Sequence, residues 1–215
     1  GAGNNLGIKN SKTKYVLTLN PDTILYENTI SKLLEQASII KDFALLGPKV
    51  ISETENIDNT DSKIEIVNYI KGFAIFFNKE KFINIGFFDE NYFLYFEEID
   101  LCKKVVKSNN KIYLINDALI KHIGGKSHED KYDLEMELSR NWHWMWSSFY
   151  YYKKNYNYFY ALFKVLKKLM SSIIKIFFYS LSFKKDKKKI YTQRLGGLFS
   201  SIVGKKSWYR PKFDD

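Results

Sequence analysis

Hydrophobic positions in the first 130 residues switch repeatedly between short apolar runs and a helical spacing. Gly1-Ala2-Gly3-Asn4-Asn5-Leu6-Gly7 reads as a glycine-rich turn. Tyr15-Val16-Leu17-Thr18-Leu19 is short and β-rich, ends at Asn20-Pro21-Asp22, and predicts a buried strand. Ile30, Leu33, Leu34 and Ala37 fall at i, i+3, i+4 and i+7, which predicts a helix over residues 28–41 with Asn28 as its candidate cap. Residues 45–51 form a second strand, where Pro48 marks an edge or an irregularity because proline cannot donate to the ladder. Residues 52–65 are polar and read as a surface loop. Gly72-Phe73-Ala74-Ile75-Phe76-Phe77 is nearly all apolar, the pattern of a strand covered on both faces. A short helix over 79–85, a loop over 86–93, a helix over 97–107 and strands over 111–115 and 118–122 follow, and Gly124-Gly125 then breaks the chain. Strands alternating with helices predict an α/β domain with a mostly parallel sheet and helices on both faces.

Beyond residue 130 the pattern becomes helical only, over 130–154, 159–182 and a last stretch to 203. In the middle helix Leu162, Val165, Leu166, Leu169, Met170, Ile173, Ile174, Ile176 and Phe177 share one half of the helical wheel, while Lys164, Lys167, Lys168, Ser171 and Lys175 share the other. Two domains are therefore expected, an α/β body over 1–130 and a helical extension over 131–215.

Charge sharpens this division. Residues 1–149 carry 18 Lys and Arg against 21 Asp and Glu, whereas residues 150–215 carry 16 against 3. A near-neutral body with a basic tail points to an anionic surface as the tail's partner. Lys-rich faces opposite Ile, Leu and Phe suit a bilayer interface; packing on the body with a solvated Lys face is the other reading, and no recognised nucleic-acid motif supports a third. No apolar stretch is long enough and free enough of charge to span a bilayer. The single Cys102 excludes an internal disulfide framework and fits a reducing compartment. The cluster Trp142-His143-Trp144-Met145-Trp146 suits either helix packing or a membrane interface.

Three constellations could carry chemistry. Asp22, at the mouth of a strand, can hold a hard divalent cation against a diphosphate, although Asn20-Pro21-Asp22 is also plain turn composition. Glu97, Glu98 and Asp100 open a helix, where they suit the macrodipole; neighbours on a helix point differently, so one can face a cleft as a general base. His122-Ile123-Gly124-Gly125-Lys126-Ser127 suits a loop that grips phosphate or completes a metal shell, with His128 as a competitor for the His122 role.

With these residues together, the chain resembles the family-2 glycosyltransferases of the GT-A, Rossmann-like fold, and most of all their rhamnosyltransferase-like branch. The matching pieces run from Gly1-Ala2-Gly3-Asn4-Asn5-Leu6-Gly7-Ile8 through Leu19-Asn20-Pro21-Asp22-Thr23, Gly72-Phe73-Ala74, Gly86-Phe87-Phe88-Asp89-Glu90-Asn91-Tyr92-Phe93 and Tyr95-Phe96-Glu97-Glu98-Ile99-Asp100-Leu101 to His122-Ile123-Gly124-Gly125-Lys126-Ser127. The resemblance implies that Asp22 binds Mg2+ or Mn2+ with His122, and that Asn20 replaces the first Asp of the family's Asp-x-Asp motif. It implies Asn5, Asn20, His122 and Lys126 around a dTDP- or UDP-sugar donor, and Gly72, Asp89 and Glu90 around a glycan or glycolipid acceptor. Glu98 takes the place of the family's base, with Glu97 and Asp100 beside it. The implied activity is inverting transfer of a sugar such as rhamnose on the inner, cytoplasmic face of the membrane, with no nucleic-acid partner. The family's opening βαβ segment has no counterpart here, so the resemblance also implies a fold truncated at its N-terminus and a chain that is part of a longer protein. The alternative is a non-catalytic, membrane-associated scaffold of the same fold.

Overall fold

The computed structural model describes residues 1–51, 63–124 and 129–213. The chain divides into two compact units: a sheet unit of Ala2–Phe88 with Glu98–Ser127, and a helical unit of Gly1, Asp89–Glu97 and His128–Asp215. The short segment Asp89–Glu97, which sequence position alone assigns to the body, belongs with the helices.

The sheet unit holds β1 (Tyr15–Leu19), β2 (Thr23–Leu25), β3 (Leu45–Val50), β4 (Ile64–Val67), β5 (Ala74–Asn78) and β6 (Ile112–His122), with α1 (Ala2–Asn10), α2 (Thr29–Ile39), α3 (Phe82–Ile85) and α4 (Glu97–Lys107) between them. The strands lie in the order β1-β5-β3-β6-β2, and β4 pairs with the first half of β6. The α/β class is as expected; a mostly parallel sheet is not what forms. Only β3 and β6 run parallel, while β1–β5, β3–β5, β2–β6 and β4–β6 are antiparallel. The reason the pattern misleads is physical: a strand covered on both faces is a continuous apolar run whichever way its neighbour points.

Helices cover both faces. On one, Ile8 of α1, Ile85 of α3 and Leu101, Cys102 and Val105 of α4 pack on Leu45, Ile75, Phe77 and Ile112. On the other, Leu33 and Ala37 of α2 pack on Leu46, Phe76 and Ile115. The alternation of Leu45 with Leu46, and of Ile75 with Phe76, follows the two-residue period of a strand. Pro48 marks an irregularity in an interior strand, since the β3–β6 register shifts between Pro48 and Lys49.

Four local expectations are corrected. The glycine-rich start forms α1, which buries Asn5 and Ile8. Residues 64–67 form strand β4, so the end of the loop expected over 52–65 is strand, while residues 52–62 of that loop lie outside the described residues. Ile112–His122 is one strand where two were expected, over 111–115 and 118–122, and the gap between them appears as the shift in the β3–β6 register, where Pro48 faces Ile115 and Lys49 faces Leu119. Asn28 makes no side-chain cap and sits at φ 64°, a left-handed conformation that Asn tolerates. Thr29 secures the helix start, donating its hydroxyl to the Tyr26 and Leu119 carbonyls at 2.8 and 2.6 Å.

The helical unit consists of α5 (Asp133–Asn155), α6 (Tyr158–Leu181) and α7 (Lys185–Ile202). Met145, Phe149, Ala161, Val165 and Leu198 form its core. At Gly197 a Cβ would lie 2.1 Å from the Trp142 carbonyl oxygen, so α5 and α7 approach at a contact only glycine permits. The segment Asp89–Glu97 is bonded into this unit. Asp89 accepts from Asn91, Tyr150 and Lys154, and the Ser147 hydroxyl donates to the Leu94 carbonyl at 2.7 Å.

Candidate active site

One end of the sheet unit gathers most of the residues that the sequence singles out. Asn20-Pro21-Asp22-Thr23 is a β-turn, closed by the Thr23 amide donating to the Asn20 carbonyl at 3.1 Å, with proline at its favoured second position. The turn leads from β1 into β2, and β2 lies antiparallel to the end of β6 with Thr23 opposite His122. Turn and ligand are therefore not competing readings, since the turn is what presents Asp22. Its carboxylate Oδ2 lies 3.1 Å from His122 Nε2, both side chains being about one-fifth exposed. The Ile123 amide donates to the Asp22 carbonyl at 2.9 Å and pins the pair from the backbone. The His122 ring stacks on Phe73, with centroids 3.7 Å apart and planes at 7°. The Asn20 amide donates to the Phe73 carbonyl at 2.8 Å.

The residue before Phe73 supports the second half of the site. A Cβ on Gly72 would meet Cβ and Cγ of Glu98 at 3.2 Å, so the missing side chain lets Glu98 lie close against the backbone. The Tyr69 hydroxyl donates to Glu98 Oε1 at 3.3 Å. Burial pushes the Glu98 carboxyl above its ordinary range, and hydrogen bonds from backbone amides and from Tyr69 pull it part of the way back. Consecutive Cα atoms are about 3.8 Å apart, so the peptide between Gly72 and Phe73 joins the Asp22–His122 pair to Glu98.

Other candidates are placed elsewhere. Asn5 is buried, and its amide group exchanges two hydrogen bonds with the Phe88 backbone, at 2.9 and 3.0 Å. Asn20 contributes its backbone to the turn. Asp100 is 2% exposed inside the sheet unit. Glu97 opens α4 and falls in the helical unit. Asp89 also belongs there; burial raises its carboxyl, but Lys154 and Asn91 outweigh this and hold it below the usual range. Glu90 is exposed in the same segment. Lys126, with Gly125, Ser127 and His128, lies outside the described residues. Cys102 is buried and its thiol is pushed up to about 12, mainly by that burial, which makes it a packing residue. Sequence reasoning missed Tyr69, which has no motif around it, and Phe73, whose ring looks like one more core aromatic.

As a cation site the pair offers two donors. Asp22 supplies a hard oxygen and His122 an imidazole nitrogen, a combination that accepts Mg2+ or Mn2+. Among the described residues no cluster of three or more His, Cys, Asp or Glu side chains surrounds them, so a cation here would draw its other ligands from a substrate or water. Beside the pair, Thr23 Oγ1 is buried with no hydrogen-bond partner among the described residues, an orphaned acceptor of the kind an absent ligand satisfies. These residues fit a partial, substrate-completed metal site.

No protein-family model matches the chain. It is similar to the low-salt glycan biosynthesis hexosyltransferase Agl10 of Haloferax volcanii, at 23% identity over 137 residues, covering 51% of this chain and 44% of that protein. The chain thus spans less than half the length of this relative. Among solved structures it is similar to GalNAc-T7 with UDP, GalNAc and Mn2+, at TM-score 0.48 and 11% identity, covering 79% of this chain and 44% of that one. It is also similar to the mannosyltransferase PcManGT from Pyrobaculum calidifontis in complex with GDP-Man and Mn2+, at TM-score 0.49 and 9% identity, covering 94% of this chain and 66% of that one.

Proposed function

We propose that the sheet unit is the catalytic core of a glycosyltransferase that moves a sugar from a nucleoside diphosphate to an acceptor hydroxyl. The observation that carries this reading is the pairing, across one peptide bond, of an Asp–His couple suited to a diphosphate-bound cation with a carboxylate held above its ordinary pKa. Similarity to a hexosyltransferase over 137 residues supports it. Glu98 takes the proton from the acceptor hydroxyl, and the acceptor oxygen forms a bond to the anomeric carbon. The bond from that carbon to the diphosphate oxygen breaks, and its electron pair leaves with the diphosphate. A direct displacement of this kind inverts the anomeric centre. Asp22 and His122 would hold Mg2+ or Mn2+, which neutralises charge on the departing diphosphate. Phe73 fixes the plane of the His122 ring, and Gly72 and Tyr69 fix the Glu98 carboxylate. The donor we assign is a dTDP- or UDP-linked deoxyhexose such as rhamnose, and the acceptor is a glycan or lipid-linked glycan.

Turnover of a panel of nucleotide sugars with lipid-linked and soluble acceptors tests the role of Glu98. Glu98→Gln should lose about a hundredfold or more in kcat while nucleotide affinity stays within a few-fold. Near-normal turnover by Glu98→Gln would sink the assignment. Transfer by no donor, together with absence of nucleotide binding, would favour the non-catalytic scaffold.

For the helical unit we propose docking on an anionic membrane surface through α6. That helix buries Ala161, Val165 and Ser172. Phe159, Phe163, Leu166, Met170, Ile174, Phe177 and Leu181 remain exposed along a helical stripe. Lys167 and Lys175 border the stripe beside Leu166, Met170 and Ile174, which gives the surface the charge to meet acidic headgroups. Among the described residues no helix is long and apolar enough to cross a membrane, so this contact would lie in the interface plane.

A further inference from the structure

The helical unit contains a cationic pocket that the proposed reaction does not use. Tyr95, Arg140, Asn141, Trp144 and Arg194 line a cavity of about 290 Å3. Arg140 donates its Nε to the Met136 carbonyl at 3.3 Å, and Arg194 donates its Nε to Asn141 Oδ1 at 2.7 Å while its guanidinium carbon lies 5.0 Å from the Tyr191 ring centroid. Among the described residues no carboxylate forms an ion pair with either guanidinium. Asn141 is oriented from its other side by Nδ2 donating to the Glu137 carbonyl at 2.8 Å. A third cation stands close by, since Lys168 Nζ lies 5.1 Å from the Trp144 ring centroid and donates to Ser148 Oγ at 2.9 Å. Burial, then the charge of Arg194, lowers the Lys168 ammonium below its ordinary range, so these positive charges repel one another inside the unit. The charges of Arg140 and Glu97 both act on Tyr95, in opposite directions.

The aromatic wall is equally specific. Tyr95 and Trp144 meet edge to face, with centroids 5.4 Å apart at 82°. Tyr95 and Phe96 are held at φ 66° and 69°, a left-handed conformation that strains a non-glycine residue and that accumulates at ligand clamps.

We propose that this pocket binds a diphosphate group, with the free ends of Arg140 and Arg194 gripping its oxygens and the Trp144 and Tyr95 rings packing against the group that carries it. Planar guanidinium forks match phosphate oxygens in pairs, and an anion relieves the repulsion between Arg194 and Lys168. A nucleotide and a lipid diphosphate share this chemistry. The site is independent of Asp22 and His122, so it stands or falls apart from the glycosyl-transfer reading.

The test is calorimetric titration of the full chain, without divalent metal, using inorganic pyrophosphate, UDP and farnesyl diphosphate. Pyrophosphate should bind, each of Arg140→Gln and Arg194→Gln should weaken it at least tenfold, and Asp22→Asn should leave it within twofold. Farnesyl diphosphate binding tenfold tighter than UDP would identify a lipid-linked ligand, and the reverse order a nucleotide. Should a Gln variant melt below the wild type, Arg140→Lys and Arg194→Lys decide instead, with charge retained, the fork lost and a several-fold weakening expected. Absence of metal-free pyrophosphate binding, or affinity that is unchanged in the arginine variants, overturns the proposal.

Discussion

Glu98 shows how a single side chain acquires chemistry from its surroundings. Burial alone makes its carboxylate costly, and the Tyr69 hydroxyl stabilises that carboxylate from one side. A base works only when deprotonated, so the acid limb of the pH–rate profile reports the Glu98 pKa. Removing a hydrogen bond to the charged form raises that pKa further. Tyr69→Phe should therefore move the acid limb of kcat/KM to higher pH and leave the plateau nearly unchanged; a limb that moves to lower pH or stays in place would show that Tyr69 does not support the base. At this scale the sequence was informative about residue type and silent about partners. Glu98 and Asp22 stand in legible surroundings, a helix start and a strand-ending turn. Tyr69 and Thr23 acquire their roles from contacts 29 residues and 99 residues along the chain, with Glu98 and His122 respectively, which no local pattern encodes.

Among the elements, the helices after α1 lie within a few residues of their predicted bounds, because their 3.6-residue stripes are local signals; α4 is found at Glu97–Lys107 as its pattern predicts, whereas the glycine-rich composition of α1 reads as a turn. Strand direction was not legible, since β3, β5 and β6 are all buried on both faces and their apolar runs carry no sign of orientation. The edge strand β4 was hidden by its polar neighbours. Close helix packing gives a second prediction. Gly197→Ala forces a methyl group onto the Trp142 carbonyl, and backbone cannot yield as a side-chain tip does. Overpacking costs about 1–3 kcal/mol and sometimes more, and a backbone clash belongs at the upper end. Denaturant unfolding should show a loss of about 3 kcal/mol; a loss below about 0.5 kcal/mol would mean that α5 and α7 are not so closely packed.

The α6 surface supplies a third. A fully buried phenylalanine contributes about 1.5–3 kcal/mol, so Phe163→Asp and Phe177→Asp should each weaken binding to vesicles containing phosphatidylglycerol about tenfold or more. Vesicles of phosphatidylcholine alone should bind weakly, because each lysine near anionic lipid contributes about 1 kcal/mol. Equal binding of wild type and variants in co-sedimentation would remove the membrane from the account.

At the scale of the whole molecule, the sheet unit carries the carboxylate–imidazole pair and Glu98, while residues 150–215 of the helical unit carry 16 Lys and Arg against 3 Asp and Glu. That basic stretch is legible in the sequence, because net charge needs no knowledge of contacts. What composition could not reveal is that residues 89–97 leave the body to join the helices, a placement fixed by Asp89 bonding to Tyr150 and Lys154 some sixty positions away. The account as a whole rests on the sheet unit holding a nucleoside diphosphate through a cation at Asp22. The most direct test is calorimetric titration of the chain with UDP, dTDP and GDP, with and without Mn2+, beside Asp22→Asn. The account predicts a nucleotide affinity that rises at least tenfold with Mn2+, and a rise that Asp22→Asn abolishes. Absence of any component of nucleotide binding that depends on both Mn2+ and Asp22, measured in the wild type and in the Arg140→Gln and Arg194→Gln variants, would contradict it.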